Sequence, residues 1–146
     1  MAGAALAEHG AHEVITAGTL VIEGQPMSWR TRDSLAGHGL AAPQHRSRQL
    51  REDDVETADL VVGLAREHVE WVRREHPGAA GKTATLRRLC RDLPGRSIAQ
   101  LGLAEVELEA WEDVDDPGGG ELPDFQRCAA EVVALVAELH AALGRS

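Results

Sequence analysis

An α/β domain with a small parallel sheet is the fold class that the sequence predicts, and three observations carry the prediction. Strand-like and helix-like segments alternate along the chain, the order produced when helices connect parallel strands. Asp59-Leu60-Val61-Val62-Gly63-Leu64 is a continuous apolar run rather than an alternating one, the pattern of a strand covered on both faces. Near the C-terminus Phe125, Cys128, Val132, Leu135, Val136, Leu139 and Leu143 recur at spacings of three and four, one apolar stripe on a helix closed by Gly144. With 146 residues, 43% of them hydrophobic and 27% charged, the chain reads as one folded domain, 1–146.

The elements follow in order. Met1 to His9 is rich in alanine and predicts a helix stopped by Gly10. Val14-Ile15-Thr16 is a short β-branched strand that turns at Ala17-Gly18. Pro26 and Ser28 announce a helix through Trp29, Leu35 and Ala36, with Gly37 and Gly39 as stops. After the 59–64 strand, a helix runs from Ala65 to His76 and ends at Pro77-Gly78. Lys82 to Leu86 is a weaker strand, and an exposed, arginine-rich helix follows to Leu93 before Pro94-Gly95. Ser97 to Trp111 has no clear period. Trp29, Trp71 and Trp111 are expected in the core, as large aromatic residues usually are.

Charge excludes several functions. The net charge of −9 comes from one stretch, since Glu105 to Asp124 holds nine acids and no base. Nucleic-acid binding is therefore not expected, because phosphate backbones are held by clustered cations. No apolar run approaches the ~20 residues of a membrane span, and Met1 to Ala7 lacks the cationic flank of a secretory signal. The expected location is cytoplasmic. Two cysteines, Cys90 and Cys128, make no CxxC pair and no disulfide framework. His9 and His12, with Glu8 and Glu13 beside them, are separated by Gly10 and are not expected to bind metal. No cofactor is implied. The acidic stretch reads most simply as a solvated loop, and alternatively as a docking face for a basic partner.

Seven segments, in order and spacing, resemble the low-molecular-weight protein-tyrosine-phosphatase family. They are Thr16-Ala17-Gly18-Thr19, Glu23-Gly24-Gln25-Pro26-Met27, His38-Gly39-Leu40, His45-Arg46-Ser47-Arg48-Gln49-Leu50, Ala58-Asp59-Leu60-Val61-Val62, Pro77-Gly78-Ala79-Ala80-Gly81-Lys82 and Val114-Asp115-Asp116-Pro117. The resemblance implies a three-layer sandwich with a small parallel sheet, the phosphotyrosine phosphatase I-like fold. It also implies a chemistry in which a Cys-x5-Arg-Ser loop after the first strand holds a phosphate while the Cys thiolate attacks phosphorus. An Asp-Pro aspartate then protonates the leaving group. Met1-Ala2-Gly3-Ala4 stands where the family's first helix starts, so the first strand and that loop are expected to be absent from this chain.

Carried over by position, Asp116 before Pro117 matches the general acid, as relic or as working acid. His45 matches a histidine that braces the phosphate loop, and His38 a second histidine near it. Gly118-Gly119-Gly120 replace the aromatic wall that usually follows Asp-Pro. Cys90 to Ser97 also reads as Cys-x5-Arg-Ser, with Arg96 as its arginine. A phosphate cradle needs consecutive inward N–H groups; Pro94 removes one of these, and Asp92 places a negative charge where a dianion would sit. This match is read as a decoy.

Two functions remain. One is a phosphatase-like protein that is inactive alone and acts through a partner or ligand. The other is a phosphotyrosine phosphatase, acting on phosphorylated proteins, whose strand and loop are missing by truncation. In the resembled family the first strand is interior to the sheet, and open interior edges are costly. A homo-oligomer or a partner subunit is therefore expected.

Overall fold

The computed structural model describes residues 2, 5–6, 28–40, 49–115 and 120–144. The predicted 14–16 strand, His9, His12, His45 and the Asp116-Pro117 pair lie outside the described residues. Two compact units divide the chain: residues 1–49 with 115–137, and residues 50–114 with 138–146.

In the first unit, Ala2, Ala5 and Leu6 are helical, and Ala5 is buried. Helix α1 spans Trp29–Ala36. Its start is set by Ser28, whose hydroxyl accepts the Thr31 amide at 3.2 Å. Leu35 and Leu40 are buried, but Trp29 is 48% exposed. That corrects the expectation of a core tryptophan: at the first turn of α1 the indole lies under the Arg30 guanidinium, 4.7 Å from its carbon.

The second unit holds the sheet. Helix α2 (Glu52–Thr57) precedes strand β1 (Val61–Gly63), helix α3 (Arg66–Glu75), strand β2 (Thr83–Thr85) and helix α4 (Leu86–Asp92). The strands are parallel, with Val61 opposite Thr83, Val62 opposite Ala84 and Gly63 opposite Thr85. Among the described residues this is a two-stranded parallel sheet in an α/β chain, the predicted class. β2 is buried throughout, whereas Val62 of β1 is 37% exposed. The apolar run at 59–64 is thus not covered at every residue.

Helix α2 was not expected from the sequence. Three acids, Glu52, Asp53 and Asp54, fill its first turn, and Asp54 accepts the Arg51 amide at 2.9 Å. Lys82 closes the other end by donating to the Ala58 carbonyl at 2.5 Å. Its one apolar anchor, Val55, packs with Val72 and Ala79, flanked by Leu50, Val61 and Trp71. Residues 97–112, which showed no period, form three short 3-10 turns, Ile98–Leu101, Leu103–Glu105 and Ala110–Glu112. Arg73 ties the middle one to α3 by donating to the carbonyls of Leu103 and Val106.

Helix α5 spans Leu122–Leu143. Its buried line is Ala129, Val132, Val136, Leu139 and Ala142. Two alanines stand in it, and the larger Cys128 and Leu143 of the predicted stripe are only half-buried.

Candidate functional site

Of the predicted site residues, His38, Cys90 and Arg96 lie among the described ones. His38 sits exposed on the turn after α1, its amide donating to Leu35 O at 2.9 Å. Cys90 and Arg96 do not form a phosphate cradle. Cys90 is inside α4, and the Leu93 amide donates to Leu89 O at 3.0 Å, continuing the helical bonding past it. The Arg96 amide donates to Leu93 O at 2.9 Å, closing a tight turn over Pro94-Gly95, with Gly95 at φ +78°. Both N–H groups are spent on backbone carbonyls rather than converging on an anion. Burial, then the Glu138 carboxylate beside it, pushes the Cys90 thiol up to about 12. A thiol so held is neither nucleophile nor metal ligand at neutral pH.

The segment that leads to Asp116 is, by contrast, firmly built. Glu112 is fully buried. Its Oε1 accepts from Arg88 Nε at 2.8 Å and Thr85 Oγ1 at 2.9 Å. Its Oε2 accepts from Arg88 Nη2 at 2.9 Å and the Glu109 amide at 2.6 Å. Burial pushes the Glu112 carboxyl up, but the bonds from Arg88, the Glu109 amide and Thr85 outweigh it and hold the group below its usual range. Arg88 further donates to Glu107 O and Asp92. Arg88 and Arg91 flank the Trp111 ring, their guanidinium carbons 5.3 and 4.2 Å from its centroid.

Next along the chain, Asp113 Oδ1 accepts the Arg66 amide at 2.8 Å, and Asp113 Oδ2 pairs with the Arg66 guanidinium at 3.0 Å. Those hydrogen bonds lower the Asp113 pKa. The Val114 amide donates to Leu64 O at 2.8 Å, and Val114 is buried. Two expectations are corrected here. Arg88 and Leu89 are buried rather than on an exposed helix, because α4 turns that face to Glu112. The acidic stretch is not simply a solvated loop, because Glu112 and Asp113 are structural anions paired to buried or half-buried arginines. Glu105, Glu107, Glu109 and Asp115 remain exposed.

Sequence reasoning had missed this scaffold. A signal was present, since Thr85 and Glu109 each stand three residues before Arg88 and Glu112, a capping spacing. No local pattern shows, however, that the two turns face each other across 24 residues.

Among the described residues no helix is long and apolar enough to cross a membrane, and no three His, Cys, Asp or Glu side chains gather as a metal set.

The family described as "Low molecular weight phosphotyrosine protein phosphatase" matches residues 1–146. The chain belongs to that family. The protein-arginine-phosphatase of Geobacillus stearothermophilus is 26% identical over 127 residues, 87% of this chain and 74% of that protein. Among solved structures, the YwlE arginine phosphatase of Geobacillus stearothermophilus is similar with a TM-score of 0.81 and 25% identity, covering 98% of this chain and 82% of that one. A low-molecular-weight protein tyrosine phosphatase from T. tengcongensis has a TM-score of 0.77 and 27% identity, covering 96% and 87%. Family membership makes the phosphotyrosine phosphatase α/β architecture that of this chain. Asp113 and Val114 stand three and two residues before Asp116 in the sequence.

Proposed function

We propose that residues 1–146 form a low-molecular-weight phosphatase scaffold that transfers no phosphoryl group unaided and acts through a protein partner or a ligand. One observation carries this reading: the Cys-x5-Arg sequence within the chain, Cys90 to Arg96, is a helix and a turn with a half-buried thiol. Thiolate attack on phosphorus needs an ionised sulfur at the centre of oriented N–H donors. Cys128 sits within α5, where its neighbours' amides are committed to the helix. Asp116 has, in this reading, no nucleophile among these residues to serve.

The partner half of the proposal is supported by β1. Among the described residues β1 pairs on one side only, with β2, and Val62 at its centre is 37% exposed. Where an edge of β1 is open, it is a template for another strand, from a second copy or a different protein. The exposed acids Glu105, Glu107 and Asp115 would suit a basic partner, whose binding should then weaken with salt.

A second reading is favoured by the likeness to arginine and tyrosine phosphatases over nearly the whole chain. It is an active phosphatase of phosphotyrosine or phosphoarginine side chains whose Cys-x5-Arg loop is supplied from outside these residues. Gly118-Gly119-Gly120, in place of an aromatic wall, argues against a tyrosine-shaped slot.

Assaying purified 1–146 on p-nitrophenyl phosphate and on a phosphoarginine peptide tests the proposal. No turnover above background is expected. Turnover abolished by Cys90→Ser would overturn it, and in-frame codons for an apolar strand and Cys-x5-Arg upstream of Met1 would establish the second reading. Light scattering after size exclusion tests the partner half, where a stable monomer of 15.6 kDa would argue against self-association.

A further inference from the structure

We propose that His68 is a pH-sensitive latch on the segment that leads to Asp116: neutral, it holds the β1–α3 turn from which Asp113 and Val114 hang; protonated, it releases them. Any bearing on phosphate chemistry rests on Asp116 having the role that family membership suggests, but the latch itself does not.

His68 Nδ1 accepts two backbone amides, Leu64 N at 3.1 Å and Ala65 N at 3.2 Å. An imidazole nitrogen accepts only when it carries no hydrogen, so the neutral ring holds its proton on Nε2. His68 is the third residue of α3 and Ala65 the N-cap. The ring therefore takes the place that a Glu or Gln side chain fills in a capping box. Unlike those side chains, imidazole commonly changes charge between about pH 5 and 8.

The same turn carries the anchors of the 112–114 segment. Leu64 O accepts the Val114 amide, and the Arg66 amide donates to Asp113 Oδ1. Leu64 C=O and Ala65 N–H belong to one planar peptide unit. One edge of that plane bonds His68 and the other bonds Val114. Protonation puts a hydrogen on Nδ1, facing two N–H donors. The plane relieves this by rotating, and the rotation carries the Leu64 carbonyl away from Val114.

The charged groups around the turn are known. Glu67 Oε1 is 3.9 Å from His68 Nε2 and exposed. Arg66 is paired to Asp113, with Glu70 and Glu112 acting on Arg66 and Arg87 on Asp113. None of these displaces the two amides from Nδ1.

Amide hydrogen exchange by NMR on the full 1–146 chain, expressed as protection factors, tests the latch. Between about pH 8 and pH 5, protection at Leu64, Ala65 and Val114 should fall together about tenfold, the loss of roughly one hydrogen bond. Ala84 in β2 should keep its protection. His68→Asn, which retains an acceptor and cannot titrate, should remove the pH dependence. The neutral ring's nitrogen shifts should show the proton on Nε2. Constant Val114 protection across that pH range, a proton on Nδ1 in the neutral ring, or an equal fall at Ala84 would each overturn the latch. So would an unchanged pH dependence in His68→Asn. None of these readouts involves phosphate turnover, so the latch and the proposed function can fail separately.

Discussion

Replacing Glu112 with glutamine keeps the side chain's shape and removes its charge at a fully enclosed polar position of the second unit. The amide can place its oxygen where Oε1 now accepts Arg88 Nε and Thr85 Oγ1. Its NH2 group then meets Arg88 Nη2 and the Glu109 amide, two donors that lie 2.9 and 2.6 Å from Oε2. Removing one partner of a buried pair costs about 3–5 kcal/mol, mostly because a charge is left buried and uncompensated. Arg88 retains Glu107 O at 3.0 Å and Asp92 at 3.3 Å, which favours the lower end, about 3 kcal/mol. At a urea m-value of about 2 kcal/mol/M, the unfolding midpoint of Glu112→Gln should fall by about 1.5 M at pH 7. Replacing the pair together, Arg88→Met with Glu112→Leu, should recover most of that loss, because an apolar pair of similar volume pays no desolvation. A fall below about 0.5 M would refute the reasoning. So would a double variant as unstable as the single one, which would mean that the pairing is not what the site requires.

Acid should act through the same carboxylates. Asp92, Glu112 and Asp113 have folded pKa values below their ordinary ones, Asp92 through Arg91 and Asp113 through Arg66. Their stabilisation is complete above the unfolded carboxylate range of about 4 and is lost as pH falls through the folded values. The urea midpoint should thus be level above about pH 5 and fall on acidification, with a shallower fall in Asp113→Asn. Cys90, pushed up to about 12, should resist iodoacetamide in the folded chain at pH 8, where about one thiol in ten thousand is ionised. Mass spectrometry should find Cys90 alkylated only in denaturant, and labelling at the rate of a free thiol would contradict the helix setting. Gly63→Ala places a methyl group 2.9 Å from His68 Cβ, and the thermal midpoint should drop by about 4–8 °C. An unchanged midpoint would show that the turn yields without cost.

What the sequence determined by itself was local. Ser28 before Trp29, the apolar run at 59–64, Pro77-Gly78 and the spacing of three and four in the last helix placed α1, β1, α3 and α5, because caps, breakers and periodicity act between near neighbours. The family was legible too, since short segments in order survive where overall identity is near one residue in four. Pro94 and Asp92 weigh against Cys90 to Arg96 as a phosphate loop from the sequence alone. Only the tertiary structure could decide α2, whose six residues offer one apolar anchor and depend on Lys82 and Val72 from elsewhere. It alone turned Arg88 inward, left Trp29 outside and made Glu112 and Asp113 structural anions, through partners 24 and 47 residues away. Trp29 is an indole that stays outside, under the neighbouring Arg30 guanidinium. For the charges, the opposite case, the physical reason is common: a charged side chain is exposed by default, and only a specific partner brought by the fold reverses that preference. His68 belongs to the same class: its spacing from Ala65 is a capping spacing, but the shared peptide plane that couples it to Val114 exists only once residues 64 and 114 meet.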